Sequence, residues 1–306
     1  MSDTVPMLAG FAAAAVRIST PLLLAATGEM VNQRAGVINL GIEGAMLAGA
    51  LGAAAGAAAG GTGVGVVVAV LAGVLVSAIF AAVAIGARAD QIITGTAVTL
   101  ASVGLTGTLY RRAFGSGGPG LSIPTMDPVP LPGLHAIPVL GPALFAQPVL
   151  TYVAWLLVPL VWWFLFRSWW GLALRATGES AVAARASAIP VRRVQTLATL
   201  FGGALSGLAG ATLVLAQVGT FAEKMTAGRG FIAIAIVVLG RWHPAGVLMA
   251  SLLFGAASAL QFALQAMGLS VPYQIFLALP YLLALVALAG FRSRLSGMES
   301  AGAARL

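Results

Sequence analysis

The chain has no cysteine, two histidines and a single lysine, Lys224, among its 306 residues. The first absence excludes disulfides and thiolate metal sites. One lysine and no G-x-x-x-x-G-K-[ST] exclude a Walker-type phosphate loop, so any ATP is used by another chain. No nucleophile–base constellation or metal signature points to an intramembrane enzyme. His135, in a proline-rich stretch, has no second ligand nearby in the sequence. The chain therefore reads as non-catalytic and free of cofactors and metals. Charge is also scarce: 8% of residues are charged against 60% hydrophobic, and the mean hydropathy is +1.01. That balance excludes a soluble domain and predicts an all-α polytopic membrane bundle. The opening MSDTVPMLAGF lacks the basic region and cleavage site of a signal peptide and reads as part of the first membrane segment.

Spanning helices need about 20 apolar residues each. Candidates lie at 5–27, 37–60, 63–87, 92–110, 148–166, 193–216, 245–267 and 272–290, and a ninth apolar piece runs from Gly230 to Gly240. The expectation is one transmembrane domain over 1–306, with eight to ten helices, some broken or re-entrant. The net charge of +8 is unevenly spread. Arg167, Arg175, Arg185, Arg192 and Arg193 occupy one loop, 167–193, and Arg292, Arg294 and Arg305 the C-terminal tail. Such clustering is positive-inside topology, not a nucleic-acid surface, and places both stretches in the cytoplasm. Residues 111–147, rich in proline and glycine, then form an extracytoplasmic loop, with Arg111 and Arg112 against the charge rule. Counting back from the tail puts the N-terminus outside or leaves the first segment short of spanning. Gly52, Gly56 and Gly60, then Gly203 with Gly207 and Ser206 with Gly210, repeat at a spacing of four, which lets helix backbones pack closely in lipid.

Two polar interruptions break the apolar pattern. In TPLLLAATGEMVNQRAGVINLGIEGAMLAG, Glu29, Asn32, Gln33, Arg34, Asn39 and Glu43 stand in a stretch otherwise fit to cross a bilayer. A charge at the bilayer centre costs about 2.5–3.5 kcal/mol on insertion scales, so such residues face protein or a watery pathway. As one helix, Asn32, Gly36, Asn39 and Glu43 would share a face of amides and a carboxylate, suited to uncharged solutes bearing hydroxyls or nucleobases. The alternative is that Glu29 or Glu43 pairs with Arg34 or Arg17 and ties helices together. The second interruption is QVGTFAEKMTAGRGFIAIAIVVLGRWHP. Between Arg229 and Arg241 lie about 16 Å of helix, too little to cross alone, so a broken helix is expected, the form from which many transporters build their sites. Arg229 is either a pathway contact or gate, or an interfacial anchor. Candidate pathway residues are thus Glu29, Asn32, Asn39, Glu43 and Arg229. In the loop LRATGESAVAARASAIPVRRV, residues Ser180 to Ala188 can form a short cytoplasmic helix stopped by Pro190. On composition alone this is either a docking helix or ordinary positive-inside loop.

Three blocks, TPLLLAATGEMVNQRAGVINLGIEGAMLAGA, ALRATGESAVAARASAIPVRRVQTLATLFGGALSGLAGA and GRGFIAIAIVVLGRWHPAGVLMASLLFGA, resemble the permease subunit of bacterial ABC importers for simple sugars and nucleosides (branched-chain amino acid/ribose type), over about Thr20 to Phe291. The form N-Q-R-A-G-V-I-N-L-G-I-E-G is more similar to the nucleoside-type permeases than to the ribose or galactose type, whose block reads more like G-G-I-D-L-S. The resemblance implies a nucleoside pathway in the cytoplasmic (inner) membrane, formed by two related permease subunits, commonly a heterodimer. It also implies two cytoplasmic ATPase domains and an extracytoplasmic solute-binding protein. Loop 174–194 then becomes the coupling region, with Gly178, Glu179, Ser180, Ala184 and Arg185 at the ATPase. The rivals are a simple-sugar ABC permease and an ion-coupled secondary transporter using Glu29 and Glu43 as proton sites.

Overall fold

The computed structural model describes residues 4–115, 121–135, 137, 140–266 and 282. The helices are α1 (Thr4–Arg34), α2 (Ile42–Ala81), α3 (Gln91–Phe114), α4 (Leu140–Leu144), α5 (Val149–Arg167), α6 (Trp169–Glu179), α7 (Ala181–Ala186), α8 (Val191–Leu213), α9 (Arg229–Leu239) and α10 (Pro244–Ala266). Single π-turns, Ala82–Gly86 and Val214–Val218, prolong α2 and α8. Among the described residues the sole strand pairing joins β1 (Val129–Pro130) to β2 (Ala146–Gln147), antiparallel. The architecture is the expected all-α membrane bundle. The span foreseen at 272–290 lies, but for residue 282, outside the described residues.

Six described helices are long and apolar enough to cross a membrane. One of them serves twice. As a straight rod the 40 residues of α2 would reach about 60 Å, twice the hydrocarbon core. Instead Gly60 and Gly61 leave helical geometry, Gly61 at φ +84°, and the arms 42–59 and 62–81 fold back antiparallel. Gly56 lies against Gly65, and Gly52 against Val68 and Ala69. Only glycine takes that positive φ without strain, so the two spans expected at 37–60 and 63–87 are a hairpin. Residues 37–41, expected to be helical, are not.

The most enclosed span is α8, packed in the cleft of that hairpin. A methyl on Gly207 would overlap the Ala69 carbonyl, one on Gly203 would strike Ser77, and one on Gly210 would strike the Met46 carbonyl. From the other side, a methyl on Gly49 would lie 2.5 Å from Gly207 Cα. Lipid supplies no hydrophobic drive between helices, so close backbone approach is what holds α8 between the arms.

The bundle has two chemically distinct ends. Arg34, Gly36, Ile38, Gln91, Gly178, Gln195 and Trp242 meet through contacts or hydrogen bonds. This end carries Arg34, Arg88, Arg167, Arg175, Arg185, Arg192, Arg193 and Arg241 against Asp90 and Glu179. At the opposite end Gln147 reaches the Ala13 carbonyl and Gln217 the Arg17 carbonyl, and the 121–126 segment bonds to the close of α8. Arg111, anomalous by the charge rule, is there paired with Glu223. So α1 runs from that end to the arginine-rich one. The 111–147 stretch is less irregular than expected: α3 continues through Arg111 and Arg112 to Phe114, and α4 is helical.

Candidate functional site

The first polar interruption is a helix end, not a helix face. The Gly36 N–H bonds to the Gln33 carbonyl, and the Val37 N–H reaches back to Asn32. With Gly36 at φ +78° this is a Schellman close, which satisfies the last carbonyls of α1 and turns the chain away from the helix axis. Residues 35–41 then run irregularly back along α1 before α2 begins. The shared face of Asn32, Gly36, Asn39 and Glu43 therefore does not exist, because the left-handed glycine breaks the register between Asn32 and Asn39.

The return link is held by Glu29. Its carboxylate accepts from Asn32 Nδ2 at 2.9 Å, from Gln33 Nε2 at 3.0 Å and from the Asn39 N–H at 3.1 Å. Glu29 is fully enclosed, and two of these donors come from its own helix at spacings of three and four. Asn39 turns its side-chain oxygen inward to accept from the Gly41 N–H at 2.9 Å, launching α2. From outside, Gln91 accepts from the Ile38 N–H and Thr99 donates to the Leu40 carbonyl. Irregular backbone at membrane depth needs such pairing, because no lipid atom can supply it.

Glu43, in the first turn of α2, performs the second closure. It accepts from Thr226 Oγ1 at 2.6 Å and the Gly228 N–H at 2.8 Å on one oxygen, and from the Gly230 N–H at 2.6 Å on the other. These are the donors at the start of α9, whose N-cap residue, Gly228, has no side chain to offer. A carboxylate from a distant element thus fills the role of an N-cap and sits on the positive end of the helix dipole. Contact is close: a methyl on Gly230 would lie 2.6 Å from Glu43 Cα. The two polar interruptions, 29–43 and 223–230, meet here. The 11 residues of α9 form the short broken helix expected.

Neither carboxylate is tied to Arg34 or Arg17. The Arg34 Nε donates to the Trp242 carbonyl, and Trp242 Nε1 donates to Gln33. Arg34 and Arg175 both lie over the Phe166 ring. Arg229, half-buried at the head of α9, donates to the Met225 carbonyl at 2.8 Å. The Asn32 Oδ1, buried near Gly202, accepts no hydrogen bond among the described residues. Of the sequence candidates, Glu29, Asn32 and Asn39 form one cluster, and Glu43 with the Gly228–Gly230 backbone forms the next. Gln33, one of the polar residues of the first interruption, joins the network, and Thr226 and Trp242, which were not among the candidate pathway residues, complete it. Thr226 lay inside the quoted interruption, but a lone threonine in a glycine-rich stretch carries no signal of its partner 183 positions away.

At the arginine-rich end, α6 stops at Glu179 and α7 begins after Ser180, whose side chain caps it by accepting from the Ala183 N–H. Glu179, Ser180 and Arg185 are exposed and Ala184 is buried. Gly178 presses its backbone on the close of α1, so that a methyl there would overlap the Arg34 carbonyl. It is α6, which leads into the short helix expected from Ser180 to Ala188, that is seated on the link leading to Glu29 and Glu43.

Comparison with known proteins agrees with this architecture. The family described as branched-chain amino acid transport system / permease component matches residues 11–288. A Haloferax volcanii protein provisionally named as the glucose ABC transporter permease TsgC13 is 39% identical over 269 residues, covering 86% of this chain and 80% of its own. The guanosine ABC transporter permease NupQ of Bacillus subtilis is 33% identical over 98% of this chain and 97% of its own. The nucleoside ABC transporter permease NupC of Lactococcus lactis is 31% identical over 89% of each. No solved structure matches. The chain is a multi-pass membrane protein and belongs to the branched-chain amino acid transport system / permease component family.

Proposed function

We propose that the chain is the permease subunit of an ABC importer for nucleosides. The observation that carries the solute class is the near end-to-end match with a guanosine permease, 98% of this chain and 97% of that one. Transport, not catalysis, is the role of the relatives, and ATP is hydrolysed by a separate chain. The arginine-rich end is cytoplasmic by the positive-inside rule, in the inner membrane of a bacterium. An extracytoplasmic binding protein delivers solute from the opposite end, and a second, related permease subunit completes the pathway. The whole chain acts as one permease domain. Loop 167–193 couples it to the ATPase through Gly178, Glu179, Ser180, Ala184 and Arg185, and 111–147 faces the binding protein.

Glu29, Asn32, Asn39, Glu43 and Arg229 belong to the wall of the pathway. The carboxylates shape it by holding 35–41 and 226–230 in place, and the amides and main-chain groups around them offer hydrogen bonds to an uncharged solute. Movement of the coupling loop reaches this wall through the contact of Gly178 with Arg34 and Gly36. Only a difference in ATPase affinity between the inward and outward states drives the change.

A sugar is the second reading, favoured by the 39% identity to the glucose-named relative. Uptake of labelled adenosine, guanosine, uridine, ribose and glucose, in cells lacking the gene and with it restored, separates them. Nucleoside uptake that returns with the gene and resists excess sugar supports the proposal; return of sugar uptake alone overturns the solute class. Loss of uptake under an uncoupler while ATP is maintained would overturn the ABC mechanism in favour of ion coupling.

A further inference from the structure

Two apolar grooves run side by side along the start of α8 at the arginine-rich end. The first, about 640 Å³, lies between α5, α6 and α8, walled by Leu160, Trp163, Trp170, Val194 and Phe201. The second, about 550 Å³, lies between α8 and the end of the returning α2 arm, with Ala78, Ala82 and Ile85 facing Thr196 and Leu200. Arg193 and Leu197 line both, and Arg192 lines the second. A spacing of four places Arg193 and Leu197 one above the other, so they form a crest with a groove on each flank. Among the described residues neither Arg192 nor Arg193 has a carboxylate or hydrogen-bond partner.

We propose that this twin groove binds one anionic two-chain phospholipid, an acyl chain on each side of the Arg193–Leu197 crest and the headgroup phosphate on Arg192 and Arg193. Two apolar troughs under one cationic crest match two tails under one anionic head. From residue 193 to 201 the crest runs about 12 Å along α8, enough to seat the upper part of each tail. Trp163 and Trp170 at the first groove supply the amphipathic rings found at the headgroup level. Arginine carries its apolar stem along such a wall while its guanidinium reaches phosphate in a paired geometry. A second copy paired through this same face fits less well, because its Arg192 and Arg193 would meet these two, like charge against like. The inference goes beyond transport and does not depend on the solute.

The test is native mass spectrometry of the full-length protein, purified in mild detergent with equimolar dioleoylphosphatidylglycerol and dioleoylphosphatidylcholine. The expected result is one phosphatidylglycerol retained in preference to phosphatidylcholine. The double variant Arg192→Gln, Arg193→Gln should lower that preference by roughly tenfold or more, since each arginine near an anionic headgroup adds to binding. Arg112→Gln, at the opposite end, should leave it unchanged. Ala82→Trp, which fills the second groove, should lose the two-chain lipid and keep single-chain lysophosphatidylglycerol. Equal retention of the two lipids by the unmodified protein, or an unaltered preference in the double variant, overturns the proposal. The absence of cysteine makes Leu197→Cys a clean probe, and a disulfide between two chains at that position in membranes would overturn it in favour of a protein interface.

Discussion

Replacing Glu43 with glutamine isolates what the carboxylate does for α9. Three donors converge on its two oxygens. The glutamine oxygen can keep Thr226 and the Gly228 N–H, but its amide nitrogen then faces the Gly230 N–H, donor against donor. One charge-assisted bond is lost and its buried N–H is left unmet, together worth about 2–3 kcal/mol. Removing the charge from the helix dipole adds about 0.3–1 kcal/mol. The total is about 2–4 kcal/mol, against a helix too short to stand by itself. In thermal unfolding of the purified protein, followed by tryptophan fluorescence, the midpoint should fall by roughly 5–10 °C. Glu43→Ala, which strands all three donors, should fall further. An unfolding midpoint equal to that of the unmodified protein would refute the capping argument. If uptake were lost at that unchanged midpoint, Glu43 would be a solute contact instead.

Two further substitutions test the packing and the coupling. Gly207→Leu forces a side chain into the Ala69 carbonyl between the α2 arms, and overpacking of this kind costs about 1–3 kcal/mol or more; the protein should insert poorly or melt lower, and normal yield and melting would discredit the close approach of α8. Gly178→Val pushes α6 off the Arg34–Gly36 turn while touching neither Glu29 nor Glu43, so uptake should fall severalfold with the amount of folded subunit in the membrane unchanged, and full uptake would remove Gly178 from the coupling route.

The architecture was legible wherever a local pattern carries it. Apolar runs gave the spans, and glycines at a spacing of four marked the faces on which the α2 hairpin and α8 pack. Arg229 and Arg241, too close together to bracket a full crossing, announced the short α9. The site was legible in composition but not in shape. Asn32, Asn39 and Glu43 line up at helical spacing on paper, yet a single φ at Gly36 rotates the chain out of register, and nothing before or after that glycine distinguishes a helix interior from a Schellman close. The partners of Glu43 were hidden for another reason. Thr226 and the Gly228 and Gly230 amides are far away in sequence, and two of the three are main-chain groups, which every residue possesses and no sequence advertises. Arginine–carboxylate pairing was the natural guess for a charge in a membrane. The backbone of a broken helix was already there to satisfy it.

The capping of α9 by Glu43 also bears on which solutes find a foothold. The exposed amino end of a half-helix inside a membrane is a natural trap for anions, with aligned N–H groups and a positive field. Here the chain's own carboxylate occupies that seat, so a phosphate or carboxylate on a passing molecule meets an oxygen already bound to those amides and a charge of its own sign. If this end lines the pathway, as proposed above, a neutral solute would meet no such opposition and would be held by hydrogen bonds rather than by charge.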